Sequence, residues 1–230
     1  AEVLYEFVYP PAEARADVRK DLGIPDDAFV AGACAAIELR KGADLFLKIA
    51  SAAAKRSPEI YFLWVGGRFQ GTAAMFAELQ RTISENNLGR TVIFVDPKYD
   101  LAEYYRAMDV FLLPSREDPF PLVCLDAAAV AKPVICFESA GGMSEFVRGE
   151  CGFAVPYLDT VAFAEKIIAF YEDRELLRAF GENAASKVRR EYSSDVVAPR
   201  ILAAIDSVDQ TRFPIAKTLT SASPAIKPPM

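Results

Sequence analysis

The chain has 230 residues, of which 52% are hydrophobic and 25% charged, enough for one ordinary folded domain with tails and too apolar for disorder throughout. The 32 acidic residues outnumber the 26 basic ones, for a net charge of −6, which argues against nucleic acid or an anionic membrane as a general partner. There is no histidine, so Ser-His-Asp and Cys-His chemistry is excluded and any reaction must use carboxylates, Lys, Arg and backbone dipoles.

The opening, Ala1 to Phe7, is acidic and strand-like, with neither an initiator Met nor a basic leader, and reads as a piece cut from a longer protein. Residues 1–22, with a helix-like Ala12 to Leu22, are expected to lead in from an upstream domain. Short β-rich apolar runs then alternate with helical patterns. The strands are predicted at Phe29 to Ala36, Ile60 to Val65, Thr91 to Val95, Val110 to Leu113, Pro133 to Phe137 and Gly152 to Val155. The helices between them are predicted at Ala43 to Lys55, Thr72 to Asn86, Leu101 to Ala107, Leu122 to Ala131 and Val161 to Tyr171. The strands lack clean alternation, as expected when helices cover both faces, so the fold class is α/β, a doubly wound, Rossmann-like parallel sheet over residues 23–207. Three helical segments follow the last strand, the final one at Asp195 to Asp206, and residues 208–230 read as a loose tail. No apolar run is long enough to span a bilayer. Cys34, Cys124, Cys136 and Cys151 sit singly in apolar segments, without metal-ligand spacing, as reduced core thiols of a cytoplasmic protein would.

The chemistry concentrates between Asp109 and Ala129. A buried strand ends at Leu113, a polar turn follows, and a helix is expected to start near Pro121, where a missing N–H costs nothing. The amides of Leu122 and Val123 would then face outward from a helix end that favours an anion. Asp118 borders that mouth and Asp126 lies one turn in, so a phosphate flanked by sugar hydroxyls fits. Spacing alone also fits an ordinary βα turn with acidic helix-start residues.

This stretch resembles the signature of the group 1 (family 4) retaining glycosyltransferases, in which a Pro-Ser turn leads to Glu-x7-Glu around a Gly-Phe-Gly-Leu-Val core. Pro114-Ser115 and the seven residues between Asp118 and Asp126 match it, as do Pro119 to Val123, Lys132-Pro133-Val134-Ile135 and Gly141-Gly142-Met143-Ser144-Glu145. The likeness runs from about Val3 to Ala204 and implies the C-terminal, nucleotide-sugar-binding half of a GT-B enzyme, with the acceptor on a separate N-terminal domain. It implies that Asp118 meets the donor sugar, that the backbone of Phe120, Pro121, Leu122 and Val123 surrounds sugar and phosphate, and that Asp126 meets the ribose. Here both acids are Asp, about one bond shorter than Glu, and Pro121 stands where the family has a glycine and cannot donate.

A second element is Glu38-Leu39-Arg40-Lys41-Gly42. The resemblance makes Lys41 the cation on the donor diphosphate. The family's Arg position falls on Ala36, so Arg40 is the candidate substitute, able to grip phosphate bidentately or to stand as a solvated loop cation. Tyr99 follows the third strand, where the family's loop meets the nucleobase, and Gly142 is placed to admit the sugar closely. Trp64 reads as core. Val65-Gly66-Gly67-Arg68 reads as a turn, since G-x-G-x-x-G is absent. The resemblance implies a UDP- or GDP-sugar as donor, no metal or other cofactor, a saccharide or lipid-linked acceptor, and little or no transfer by this piece alone. Two other classes stay open: a degenerate, non-catalytic domain used for scaffolding, and a regulatory module that senses nucleotides or sugar phosphates.

Overall fold

The computed structural model describes residues 6–9, 17–67 and 73–212, with side chains as far as residue 207. The first half of the expected Ala12 to Leu22 helix, Arg68, Thr72 and the chain beyond Arg212 lie outside the described residues.

Six parallel strands form one sheet in the order β3-β2-β1-β4-β5-β6. They are β1 (Val30–Cys34), β2 (Tyr61–Val65), β3 (Val92–Val95), β4 (Val110–Leu113), β5 (Val134–Phe137) and β6 (Gly152–Val155). All six sequence-derived strands are present, and β1 is shorter than expected at both ends, with Phe29, Ala35 and Ala36 outside it. β1, β4 and β5 are buried throughout, which is why their sequences read as unbroken apolar runs.

The helices are α1 (Val18–Asp21), α2 (Ala43–Ala54), α3 (Ala73–Glu85), α4 (Ala102–Ala107), α5 (Leu122–Ala129), α6 (Met143–Phe146), α7 (Thr160–Glu172), α8 (Arg174–Lys187) and α9 (Ser194–Arg212). A turn of π-helix, Val188–Tyr192, joins the last two. They enclose two apolar layers, one on each face of the sheet. One layer is centred on Phe46, Trp64 and Phe163, the other on Phe111, Leu125 and Phe146. Trp64 is fully buried, as expected, and its indole donates to Ala35 O at 3.0 Å. The four cysteines are buried free thiols, and burial pushes Cys136 up to about 12.

The lead-in is tied to the sheet. Arg19 of α1 donates to Ala107 O, Asp26 O and Ala28 O, and its Nη2 lies 2.9 Å from Asp109 Oδ2, which also accepts from Val30 N. Val8 bridges Ser193. At the other end, α9 runs to Arg212, past residue 208, where the tail was expected to begin. Among the described residues no helix is long and apolar enough to cross a membrane.

The strand order reverses direction between β1 and β4. Sheets of this kind bind ligands in the crevice beyond the carboxyl ends of the two strands at that switch point. The loops leaving β1 and β4 are the two that carry Lys41 and Asp118.

Candidate functional site at the switch between β1 and β4

Two glycines let these loops close on their neighbours. Gly42 has φ +76°, and a Cβ there would lie 2.0 Å from Pro114 O, so the loop after β1 rests directly on the loop after β4. Gly141 has φ +149°, and its Cβ would lie 1.8 Å from Asp118 O, which brings the loop after β5 against the same segment. Backbone bonds then fix the approach: Asp118 N donates to Ala140 O and Gly142 N to Pro119 O, both at 2.7 Å.

Within this frame Lys41 Nζ meets Asp118 Oδ2 at 2.5 Å, and Ser115 Oγ lies 3.4 Å from the same oxygen. Asp118 and Ser115 are buried while Lys41 is partly exposed, so the pair presents a cation at the crevice with its counter-charge behind it. An ammonium has three N–H donors, which lets Lys41 keep Asp118 and still offer bonds to an anion.

The helix ends add to this field. Gly42 is the N-cap of α2 and Pro121 that of α5, and neither supplies a side chain to cap the first amides. By contrast, α7 and α8 are capped by Asp159 and Asp173. The two uncapped ends leave backbone N–H groups and the positive ends of both dipoles at the crevice, where an anion is stabilised. Pro121 is not the first helical residue, as the sequence suggested. Its ψ of 123° makes it an extended cap, and the helix starts at Leu122. The reason is the tight seat of Pro119 and Phe120 against Gly142, which keeps the chain extended for one residue more.

The other expected residues fall into two groups. Leu122, Tyr99 and Asp126 line one groove of about 430 Å³ beside the first turns of α4 and α5. Tyr99 is fully exposed at its rim. Burial raises the pKa of the Asp126 carboxyl. Val123, the next residue of α5, is half-buried and packs against the core; it is absent from the lining of the groove. Phe120 stacks on Tyr192 at 5.6 Å, and Gly142 is the seat for that ring and for Pro119 O, so its own amide is already committed. Arg40 reaches across to donate to Glu117 O at 2.9 Å, which pins one loop to the other.

One residue that the sequence did not single out holds the two loops together. Arg116 forms a two-pronged pair with Asp44, both contacts at 2.8 Å, donates to Leu39 O, and takes Arg40 O on its backbone amide. Burial would raise the Asp44 carboxyl, but the hydrogen bonds and charge of Arg116 outweigh it and hold the pKa below the usual carboxylate range. Tyr157, from the loop after β6, donates to Arg116 O at 3.0 Å and closes the set. The signal existed in sequence only as an Arg inside the polar turn and an Asp in the first turn of α2, 72 residues away.

With this geometry in view, residues 14–187 match the family model described as glycosyl transferases group 1. The chain belongs to this family. It is 28% identical over 204 residues to the lipopolysaccharide core biosynthesis mannosyltransferase LpsB of Rhizobium meliloti (strain 1021), a match that covers 87% of this chain and 58% of that enzyme. Among solved structures, Anabaena Alr3699/HepE in complex with UDP aligns with a TM-score of 0.77 at 24% identity, over 83% of this chain and 51% of that one. A C-terminal domain of a glycosyl transferase group 1 family protein, LpcC from Francisella tularensis, aligns with a TM-score of 0.69 at 23% identity, over 81% of this chain and 96% of that one. The expected α/β, Rossmann-like half of a GT-B architecture is thus the fold found, and the matched region is only part of the length of LpsB and HepE.

Proposed function

We propose that this chain is the donor-binding half of a retaining glycosyltransferase, which binds a UDP- or GDP-sugar for transfer to a saccharide or lipid-linked acceptor held by an N-terminal domain. The observation that carries the reading is the Lys41–Asp118 pair at the β1/β4 switch point, between two uncapped helix ends. When a nucleoside diphosphate leaves an anomeric carbon, negative charge grows on the diphosphate. Lys41 and the amides at the start of α5 stabilise that charge where it develops. Asp118, buried and held by Lys41, orients a sugar hydroxyl. Asp126 and Tyr99 line the groove that takes the nucleoside. Arg40, committed to Glu117 O, acts on phosphate only if that bond is exchanged. The chemistry assigned to these residues is charge stabilisation and orientation, with no step that requires a cofactor.

Isothermal titration of the chain with UDP, GDP, UDP-glucose and GDP-mannose tests the reading. Binding of at least one diphosphate, tightened by its sugar, is expected. No heat with any of the four at millimolar concentration refutes donor binding. A nucleotide bound with indifference to the sugar favours a sensing module instead.

A further inference from the structure

Lys41 stands in a turn between the end of β1 and the cap of α2, a segment with no regular structure of its own. A lysine carries its charge on a flexible four-carbon stem, so where the ammonium stands depends on how firmly the backbone beneath it is held. The turn does not fix that backbone against the loop after β4: Lys41 N and Gly42 N both donate to Glu38 O, within the same segment. Arg116 supplies bonds that cross between the loops on both sides of Lys41. Before Lys41, Arg116 Nη1 donates to Leu39 O at 2.6 Å, and the Arg116 amide donates to Arg40 O at 2.8 Å. After it, Nη1 and Nη2 grip the two oxygens of Asp44, both at 2.8 Å, in the first turn of α2. Arg116 is itself held by Tyr157, whose hydroxyl donates to its carbonyl at 3.0 Å. It shares a loop with Asp118, the partner of Lys41, so the clasp and the ion pair join the same two segments.

The terminal nitrogens of Arg116 are both engaged and its charge is answered by Asp44, so the guanidinium is committed to the frame and not to a phosphate. We propose that Arg116, through Asp44 and the Leu39 and Arg40 carbonyls, is a positioning residue for the Lys41 ammonium, setting where that cation meets a bound diphosphate. This rests on the donor-site reading above. Electrostatic stabilisation requires a donor that already stands where charge develops, and slack of about 1 Å forfeits much of it. A two-pronged Arg–carboxylate contact fixes angle as well as distance, which a loop without regular structure does not do for itself.

The test is calorimetric titration with UDP and GDP of the unmodified chain and of two variants chosen for their charge, at a temperature where melts show each to be folded. Arg116→Lys keeps the charge and loses the fork. Asp44→Asn removes a negative charge beside the crevice, which through the field alone would tighten an anion. Positioning predicts the reverse: each variant should weaken the tighter-binding diphosphate about fivefold or more. Where Lys41→Met and Asp118→Asn have removed the ammonium and its partner, adding Arg116→Lys should change affinity by less than about twofold. If either charge-chosen variant binds the diphosphate as tightly as the unmodified chain, the clasp is structural only, and the positioning role fails while the donor site stands. Should Asp44→Asn not fold, Arg116→Lys decides alone. A loss from Arg116→Lys that persists undiminished without Lys41 also overturns the role, because it does not act through the ammonium. If the unmodified chain binds neither diphosphate, the donor-site reading fails and takes the role of Arg116 with it.

Discussion

The ammonium of Lys41 and the carboxylate of Asp118 meet at 2.5 Å although 77 residues separate them. Asp118 is 6% exposed, so its charge is tolerated only while Lys41 answers it. Lys41→Ala should therefore cost about 2–4 kcal/mol in urea unfolding and weaken nucleoside diphosphate binding at least tenfold. Pairing Lys41→Met with Asp118→Asn should recover most of the stability and none of the affinity. If the double variant binds as well as the unmodified chain, Lys41 is a structural cation and not a phosphate ligand.

Asp118→Asn alone should act differently. It keeps the shape of the side chain and leaves Lys41 free for phosphate, so affinity for the bare diphosphate should hold or rise. The advantage of the sugar-bearing ligand over the bare one should shrink by about tenfold. Titration of both ligands against the same variant reads the difference.

What the sequence disclosed and what it hid divide by range. A buried strand is a local property: Val110 to Leu113 is apolar whatever surrounds it, and all six strands were legible for that reason. Lys41 and Asp118 each drew attention in sequence because each lies in a motif, but nothing there signalled their contact. Arg116 and Asp44 were missed because neither sits in a pattern, and their pairing depends on how two turns are stacked by Gly42. The one-residue shift of the α5 start has the same origin, a contact with a loop that follows in sequence.

The Arg116–Asp44 pair predicts a pH dependence. Its folded-state carboxyl lies below the ordinary value of 3.8, so the stability it adds is complete above that pH and is lost as pH falls through the folded value. Arg116→Lys, which cannot make the two-pronged contact, should cost about 1–2 kcal/mol at pH 7. That deficit should shrink below pH 3.8 in urea melts, and a deficit constant with pH would rule out the ion pair as its source.

Asp126 should show the opposite sign. Its folded carboxyl lies above 3.8, so the folded chain takes up a proton first and this residue's contribution to stability improves as pH falls through the folded value. Asp126→Asn should accordingly be more stable than the unmodified chain at pH 7, with the gain gone once both states are protonated. Melts at pH 7 and pH 3 compare the two.

Gly42→Ala places a methyl group on Pro114 O at a left-handed φ of +76°. Neither the backbone of β4's loop nor the start of α2 can yield cheaply, so a loss of about 3 kcal/mol or more is expected. Gly23→Ala has a left-handed φ as well but meets nothing within 4 Å, and should cost only about 1 kcal/mol. Thermal melts of the two variants separate the clash from the torsional cost.

The contacts at Gly42 and Gly141 join main chain to main chain, with side chains left out of the joint. That separates two kinds of inheritance. The spacing of the crevice is written in two residues that tolerate almost no exchange, whereas residues such as Leu39, Tyr99 and Leu122 project from the rim and bear little of the architecture. Variation there can retune which molecule is chosen while the frame stays put, so one scaffold can drift among ligands by small steps without refolding at any of them.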